Sequence, residues 1–546
     1  MKSVMQYIVA WLFILPCILL DKGALSIACE GLQSCDCRRE RDWLQDGSDS
    51  YGVIECEGDM DMTSFNFSWY SKKTDLQEII FTNTSIRSIG KNVFNGMKQI
   101  KTLKIQNQTI KIHADAFAPL GDNLEHVSLI NINISRDWKL DYLKHLENLE
   151  TLYLDKNGQY PEHFPKHVFR NISLTSLKHL SLRYCKIAIM TREGLEGLPN
   201  LEVLDLSHNY LPTVPDAIIQ LRKLRKLNLS FNKRLIYVHD YAFKPLKYLE
   251  EIDISNTDLS TISEFAFYGL ENSLTNLHLH HALLQDGHFH SMKELKRLKF
   301  IDISYNRIVE IHNTSFEGFV ALDELDISGQ SDIKDGVPYK LGFIDSVFKG
   351  VERKLKILHI RDLGMDSSLP LGALKSLQRL ETLDASMNKF TEIYEEFFYG
   401  IKAKNIYLTD MEISSISNFA FENLRPGVSI YFDRNNVTNI SFVLDTPICL
   451  FKKLSLTGNP ITCECDVIEI AATNRVSDIV GTCADNFYRG ENIKTIHEMD
   501  IAKVNCDTKG YKKITHCSYI NSAACTLINL YLCVTYTMFS MFYLFL

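Results

Sequence analysis

The chain has 546 residues, 45% of them hydrophobic and 23% charged, and its 59 Lys and Arg against 67 Asp and Glu leave a net charge of −8. With no run of Lys and Arg to form an electrostatic footprint, the balance argues against nucleic acid as a partner. The sequence also contains no H-E-x-x-H, no G-x-S-x-G and no phosphate-binding glycine loop, so neither an enzyme nor a bound cofactor is expected.

Residues 1–28 open on "MKSVMQYIVAWLFILPCILL", a single early Lys followed by an apolar core, with Ser26 and Ala28 at the −3 and −1 positions before Cys29. That is the pattern of a secretory signal peptide, and its apolar run is short for a membrane span. Nine Asn-x-Ser/Thr acceptors agree with the secretory route: Asn66, Asn83, Asn107, Asn133, Asn171, Asn228, Asn313, Asn436 and Asn439. Disulfides persist in such a compartment, and Cys29, Cys35, Cys37 and Cys56 fall in the segment 29–75 that precedes a repeat.

The repeat runs over residues 76–458. Stretches such as "LEVLDLSHNYL" from Leu201 and "LKFIDISYNRI" from Leu298 share the template L-x-x-L-x-L-x-x-N-x-L. Sixteen units begin at Leu76, Ile100, Leu124, Leu149, Leu177, Leu201, Leu224, Leu249, Leu274, Leu298, Leu322, Leu355, Leu380, Ala403, Gly427 and Phe451. Spacings are 23–25 residues, except 28 after Leu149 and 33 after Leu322. Apolar positions 4 and 6 alternate with polar 3, 5 and 7, the period of a strand with one buried face. Position 9 is Asn in seven units, at Asn157, Asn209, Asn232, Asn306, Asn388, Asn435 and Asn459, where a buried amide satisfies backbone groups as the chain turns away. Cys185 holds that position in the fifth unit and reads as a buried small side chain. Phe94, Phe117, Phe169, Phe243, Phe267 and Phe316 return to the core later in their units. The expected fold is an α/β solenoid, a curved horseshoe with a parallel β-sheet on its concave face. Since no unit buries its apolar face alone, stacking supplies the stability.

Both open ends of such a solenoid need covering. "LTGNPITCECD" introduces Cys463, Cys465, Cys483 and Cys506 within residues 459–506. With these cysteines at both ends, the chain resembles extracellular leucine-rich-repeat proteins with cysteine-rich caps, a set that includes Toll-type ectodomains, slit, and the insect adhesion proteins chaoptin and connectin. The resemblance implies the pairs Cys29–Cys37, Cys35–Cys56, Cys463–Cys483 and Cys465–Cys506; the sequence alone permits three pairings per cap. Cys449 and Cys517 are left to pair with each other, or Cys517 to link two chains.

The segment 507–525 reads as a membrane-proximal stalk. The last 21 residues, Thr526 to Leu546, carry no charge. Asn521, Ser522 and Ala523 before that tail resemble a glycosylphosphatidylinositol (GPI) attachment signal at Asn521, although the polar spacer is short. The alternative is a transmembrane helix; either one tethers the chain outside a cell.

On the sheet's concave face, Asp205, Asp253, Asp302, Asp326 and Asp384 all occupy position 5. Such a stripe either attracts a basic partner or writes the ordinary repeat. The residues that depart from it are the binding candidates: Tyr153, Arg183, His278, His280, His359, Arg361, Tyr407 and Tyr431. Tyr and Arg dominate binding hot spots. His278 and His280 sit in "HLHHALLQDGHFH", two residues apart on one strand and so roughly 6–7 Å apart. That spacing suits two metal ligands, but solvated surface histidines without a metal are expected. Asn228 would place a glycan in the middle of the face, and the insertion "IKDGVPYKLGFIDSVFKGVERK" before Leu355 is a further exposed segment. The repeats themselves imply a large protein-binding scaffold; the resemblance, in layout most of all to the lipid-anchored chaoptin and connectin, implies a cell-surface protein acting in adhesion or recognition, by homophilic or heterophilic contact with a protein on a neighbouring cell. The alternative is an innate-immune or signalling co-receptor ectodomain that captures a ligand without a cytoplasmic domain of its own.

Overall fold

The computed structural model describes residues 27–28, 35–38, 52–58, 76–134, 137–158, 162–170, 172, 174–285, 288–330, 342–343, 346–366, 371–485 and 488–496. Residues 1–26 of the signal segment, the tail segment, Cys29, Asn66, Asn171, Cys506, Cys517 and Asn521 therefore lie outside the described residues, while Ile27–Ala28 pairs in antiparallel with Asp36 and Cys37. The chain divides into two units, Met1–Leu283 and Leu284–Leu546.

In the first unit one short strand arises per repeat, and successive strands pair in parallel without slippage at their centres. Ile54, Ile79, Leu103, Val127, Leu152, Leu180, Leu204, Leu227, Ile252 and Leu277 face one another in turn. The alternation of the sequence sets this register: in Val203–Asp205 the middle Leu204 is buried while both neighbours are half-exposed. A one-residue slip would turn every one of those side chains to solvent. Behind the sheet, Phe94, Phe117, Phe169, Phe243 and Phe267 are buried, with Phe243 stacked on Phe267 at 5.8 Å. The parallel ladder starts one strand before the first repeat, at Val53–Gly58, which Cys35–Arg38 joins in antiparallel. A Cys35–Cys56 disulfide closes that end.

The second unit repeats the arrangement through Ile301, Leu325, Leu358, Leu383, Ile406, Ile430, Leu454 and Ile479. Its last strand, Asp478–Val480, lies beyond the final repeat. A Cys463–Cys483 disulfide and the helix Cys465–Thr473 stand at this end; the helix buries Val467, Ile468, Ile470 and Ala471. It stops at Asn474, whose left-handed backbone (φ 58) suits a short polar side chain. The insertion rejoins the fold where Gly342–Phe343 pairs with Glu310–Ile311 and Phe348 stacks on Phe316 at 5.7 Å. Sixteen strands thus stand where the repeats place them, nine in the first unit and seven in the second.

Position 9 supplies the polar ladder. Asn209 Oδ1 accepts the backbone N–H groups of Cys185 and Ile187, both at 3.0 Å. Its Nδ2 donates to the carbonyls of Leu182 and Leu206 at 2.8 and 2.9 Å. Asn388 and Asn435 repeat this pattern in the second unit. Each buried amide therefore satisfies groups that neither sheet nor helix reaches. Cys185 substitutes with a thiol 3.3 Å from the Leu154 carbonyl, and burial pushes its pKa up to about 12, which leaves it protonated and inert.

Position 8, just before this ladder, carries a left-handed backbone throughout, for example Asn107, Lys156, Tyr184, His208, Phe231, Asn256, Tyr305 and Arg434 at φ 53–61. In non-glycine residues that conformation costs about 1–2 kcal/mol, least for Asn and Asp. Gly329 fills it in one unit for a further reason: a Cβ there would come within 2.3 Å of the Tyr305 ring.

Candidate functional site

The half-exposed positions 3, 5 and 7 of the strands form the open face of each unit's sheet. The Asp stripe on that face is largely structural. Asp205 and Asp253 each accept the N–H of the Ser two residues on, both at 2.9 Å, and Asp302, Asp326 and Asp384 do the same at 2.9–3.1 Å. Each carboxylate thus closes a local turn at the end of its strand.

In the first unit, Tyr153 packs against His179 with ring centroids 5.2 Å apart. Arg183 Nε stands 3.8 Å from Asp205, and its backbone N–H donates to Asp155 Oδ1 at 3.0 Å. Asp155 also takes the Ser181 hydroxyl at 2.5 Å, and burial raises its pKa despite these donors. His278 Nε2 lies 4.0 Å from Glu251, and His280 Nε2 lies 3.3 Å from Asn256 Nδ2. In the second unit, His290 sits on the 3₁₀ turn His288–Met292, against Lys293 at 3.1 Å.

The remaining candidates gather on the second unit's face. His359 lies between Glu324 (Nε2 to Oε1, 3.5 Å) and Asp384 (Nδ1 to Oδ2, 3.7 Å). Arg361 lies 3.9 Å from Asp326 and 3.7 Å from Asp384. Burial alone would lower the His359 pKa, but Asp384, Asp326 and Glu324 outweigh it and the value is raised. At 3.7 Å from Asp384 the pull is mainly charge on charge. Asp384 is correspondingly lowered, its own burial being outweighed by His359, Ser386 and Arg361. Beside them Tyr407 and Tyr431 stack at 4.4 Å and 8°, with Lys453 Nζ 5.5 Å from the Tyr431 ring. Burial, with Tyr431 adjacent, raises the Tyr407 phenol pKa.

A raised folded pKa contributes stability that is complete below the free imidazole value of 6.5 and is lost as pH rises through the folded value. The denaturation midpoint of His359→Gln therefore falls further below wild type at pH 6 than at pH 8. Equal deficits at both values would remove His359 from the charge network.

Among the acceptor asparagines, Asn83, Asn107, Asn313, Asn436 and Asn439 are exposed, while Asn133 and Asn228 are half-buried. Asn228 Oδ1 takes both the N–H and the hydroxyl of Ser230, at 2.9 and 2.7 Å. Cys35–Cys56 and Cys463–Cys483 are two of the four pairs that the cap resemblance implies. Cys37, Cys449 and Cys465 are also disulfide-bonded.

One surface in the first unit is absent from the sequence reading. Tyr184, His208 and Phe231, at position 8 of three successive repeats, form a ladder with centroids 4.0 and 4.1 Å apart. Tyr184 and Phe231 are 44% and 42% exposed. The signal that finds it is a run of three successive rings at position 8, where half of the sixteen repeats write Asn, Asp or Gly.

Comparison with known proteins agrees with this architecture. A model of the leucine rich repeat matches residues 175–233, 222–284 and 272–331, and a model of the BspA type leucine rich repeat region matches 63–185 and 367–457. Tsukushi-A of Xenopus laevis is 28% identical over 193 residues, 35% of this chain and 53% of that protein. Podocan of Mus musculus is 24% identical over 416 residues, 71% of this chain and 64% of that protein. The matches span about half the length of the two Xenopus Tsukushi relatives. A chain of the solved Toll–Spatzle complex of Drosophila superposes with a TM-score of 0.54 at 15% identity, covering 85% of this chain and 75% of its own, which is a likeness of fold. The chain is a leucine-rich-repeat protein, similar in its repeats to Tsukushi and podocan and in its fold to Toll. Among the described residues no helix is long and apolar enough to cross a membrane.

Proposed function

We propose that the chain is an extracellular recognition protein, glycosylated and tethered to the cell surface by a GPI anchor at Asn521, which binds a protein on a neighbouring cell. The observation that carries this reading is the open sheet face of the second unit. There the Tyr407–Tyr431 stack, Lys453, Arg361 and His359 put aromatic and cationic groups on adjoining strands of a rigid scaffold. Aromatic and Arg side chains on a preformed surface are the usual anchors of protein interfaces. Asn228 supports the choice of unit, since a glycan there would occupy the first unit's face. The complex of Toll with Spatzle is a precedent for protein binding by this fold.

The test expresses the full-length chain in non-adherent cells and mixes them with differently labelled cells that do or do not carry it. Clusters confined to expressing cells, and dispersed by phosphatidylinositol-specific phospholipase C, are the expected result. Efficient display without any clusters would exclude homophilic adhesion and leave ligand capture as the remaining role.

A further inference from the structure

We propose that the Tyr184–His208–Phe231 ladder and the cations beside it form a second binding surface, whose occupant is an acidic, extended segment of a partner protein. The surface lies in the first unit and goes beyond the sheet-face reading. Three observations carry it.

The first is conformational. Tyr184, His208 and Phe231 hold φ of 56°, 57° and 58°, a region that disfavours bulky side chains. Asn83, Asn107, Asn131 and Asn256 fill the same position elsewhere in the unit with residues suited to it, and Lys156 and His281 hold the remaining two. Three consecutive rings at disfavoured positions are what a functional surface, rather than backbone economy, would retain.

The second is the orientation of the rings. They stack within 14° of parallel, so the inner ring faces are covered and the edges turn outward. Ring edges carry the positive end of the aromatic quadrupole and attract carboxylate oxygens, whereas a stacking sugar needs a free face. The outer centroids lie about 8 Å apart, which two to three residues of extended chain span at ~3.3 Å each.

The third is charge. Lys156 Nζ and the Arg183 guanidinium stand 6.0 and 5.8 Å from the Tyr184 ring, and Arg234 lies 5.0 Å from the exposed Tyr210. Lys156 and Lys186 are exposed and make no ion pair among the described residues. The nearby carboxylates are already engaged: Asp155 by Ser181 and the Arg183 N–H, Asp205 by Ser207 and the Arg183 side chain. Lys156 and Lys186 therefore leave the rim with positive charge beyond the Arg183–Asp205 pair, complementary to Asp and Glu side chains.

The experiment displays the full-length chain on cells and measures binding of a fluorescent twelve-residue Glu/Tyr peptide, its Lys/Tyr counterpart, and heparin. The acidic peptide should bind and the basic one should not. The double variant Tyr184→Asn/Phe231→Asn should lose binding at least tenfold. It should become protease-sensitive on heating no earlier than wild type, because Asn suits the left-handed backbone; neither substitution creates a glycan acceptor. Lys156→Glu, which keeps every ring, should also weaken binding. Equal binding by the double variant, no binding of the acidic peptide to wild type, or tighter capture of heparin than of peptide would each overturn the proposal. Cell clustering reports on the second unit's face and peptide binding on the ladder, so failure of one reading is distinguishable from failure of the other.

Discussion

Leu227→Asp abolishes surface display of the whole chain. Leu227 is 1% exposed at the centre of the strand Lys226–Asn228, in register with Leu204 on one side and Ile252 on the other. Burying a Leu there contributes about 1.5–3 kcal/mol. An aspartate forfeits that and adds an unpaired buried charge, whose penalty is several kcal/mol more. Against a net stability on the order of 5–15 kcal/mol, the loss is of the same size as the total. Because repeats are stabilised by their neighbours, a break at this strand withdraws support from both sides. Lys226→Asp is the matched control: Lys226 faces solvent, 2.7 Å from Glu251, and its replacement changes stability by roughly 1 kcal/mol or less. Flow cytometry of the two variants decides the matter. Normal display of Leu227→Asp would contradict the burial pattern on which every strand rests.

The fold was legible because its signal is periodic and redundant. The Leu at position 4 of each template marks a strand centre, and the Asn at position 9 marks the turn that leaves the sheet. Non-consensus members could be placed by the same grid: Cys185 and Gln330 proved buried in the Asn position and bonded to the same kinds of backbone group. The grid was less informative at the ends. Val53–Gly58 and Asp478–Val480 extend the parallel ladder by one strand beyond the repeats, though neither stretch carries the full leucine template.

The candidate surfaces were legible only in part, for a physical reason. Position alone determined that Tyr407, Tyr431, His359 and Arg361 share a face, since strands keep period two. Whether an Asp at position 5 attracts a partner or binds its own backbone depends on the turn that follows the strand, and in Asp205, Asp253, Asp302, Asp326 and Asp384 the carboxylate accepts the backbone N–H two residues on. The ladder of Tyr184, His208 and Phe231 escaped notice because it lies outside the strand, where the two-residue period no longer applies. Its left-handed backbone explains why Asn, Asp or Gly holds that position in half of the repeats and why three successive aromatic rings there carry information.

A glycan placed on the second unit's face should abolish recognition while leaving the fold intact. Tyr407→Asn converts "YLT" into an Asn-x-Thr acceptor with Thr409. It occupies position 5, the place that Asn228, Leu229 and Ser230 hold in the natural "NLS" of the first unit. Asn228 and Tyr407 are alike half-exposed at the ends of their strands, so a sugar chain there projects from the sheet instead of disrupting the buried Ile406 or Leu408. The substitution also removes one ring of the 4.4 Å stack with Tyr431. Mixing cells that display this variant, with attachment verified by a mobility shift that peptide N-glycosidase reverses, is the most direct test of recognition through the sheet. Normal display with clusters lost is the predicted result. Clusters of undiminished size on cells whose protein carries the added glycan would contradict it.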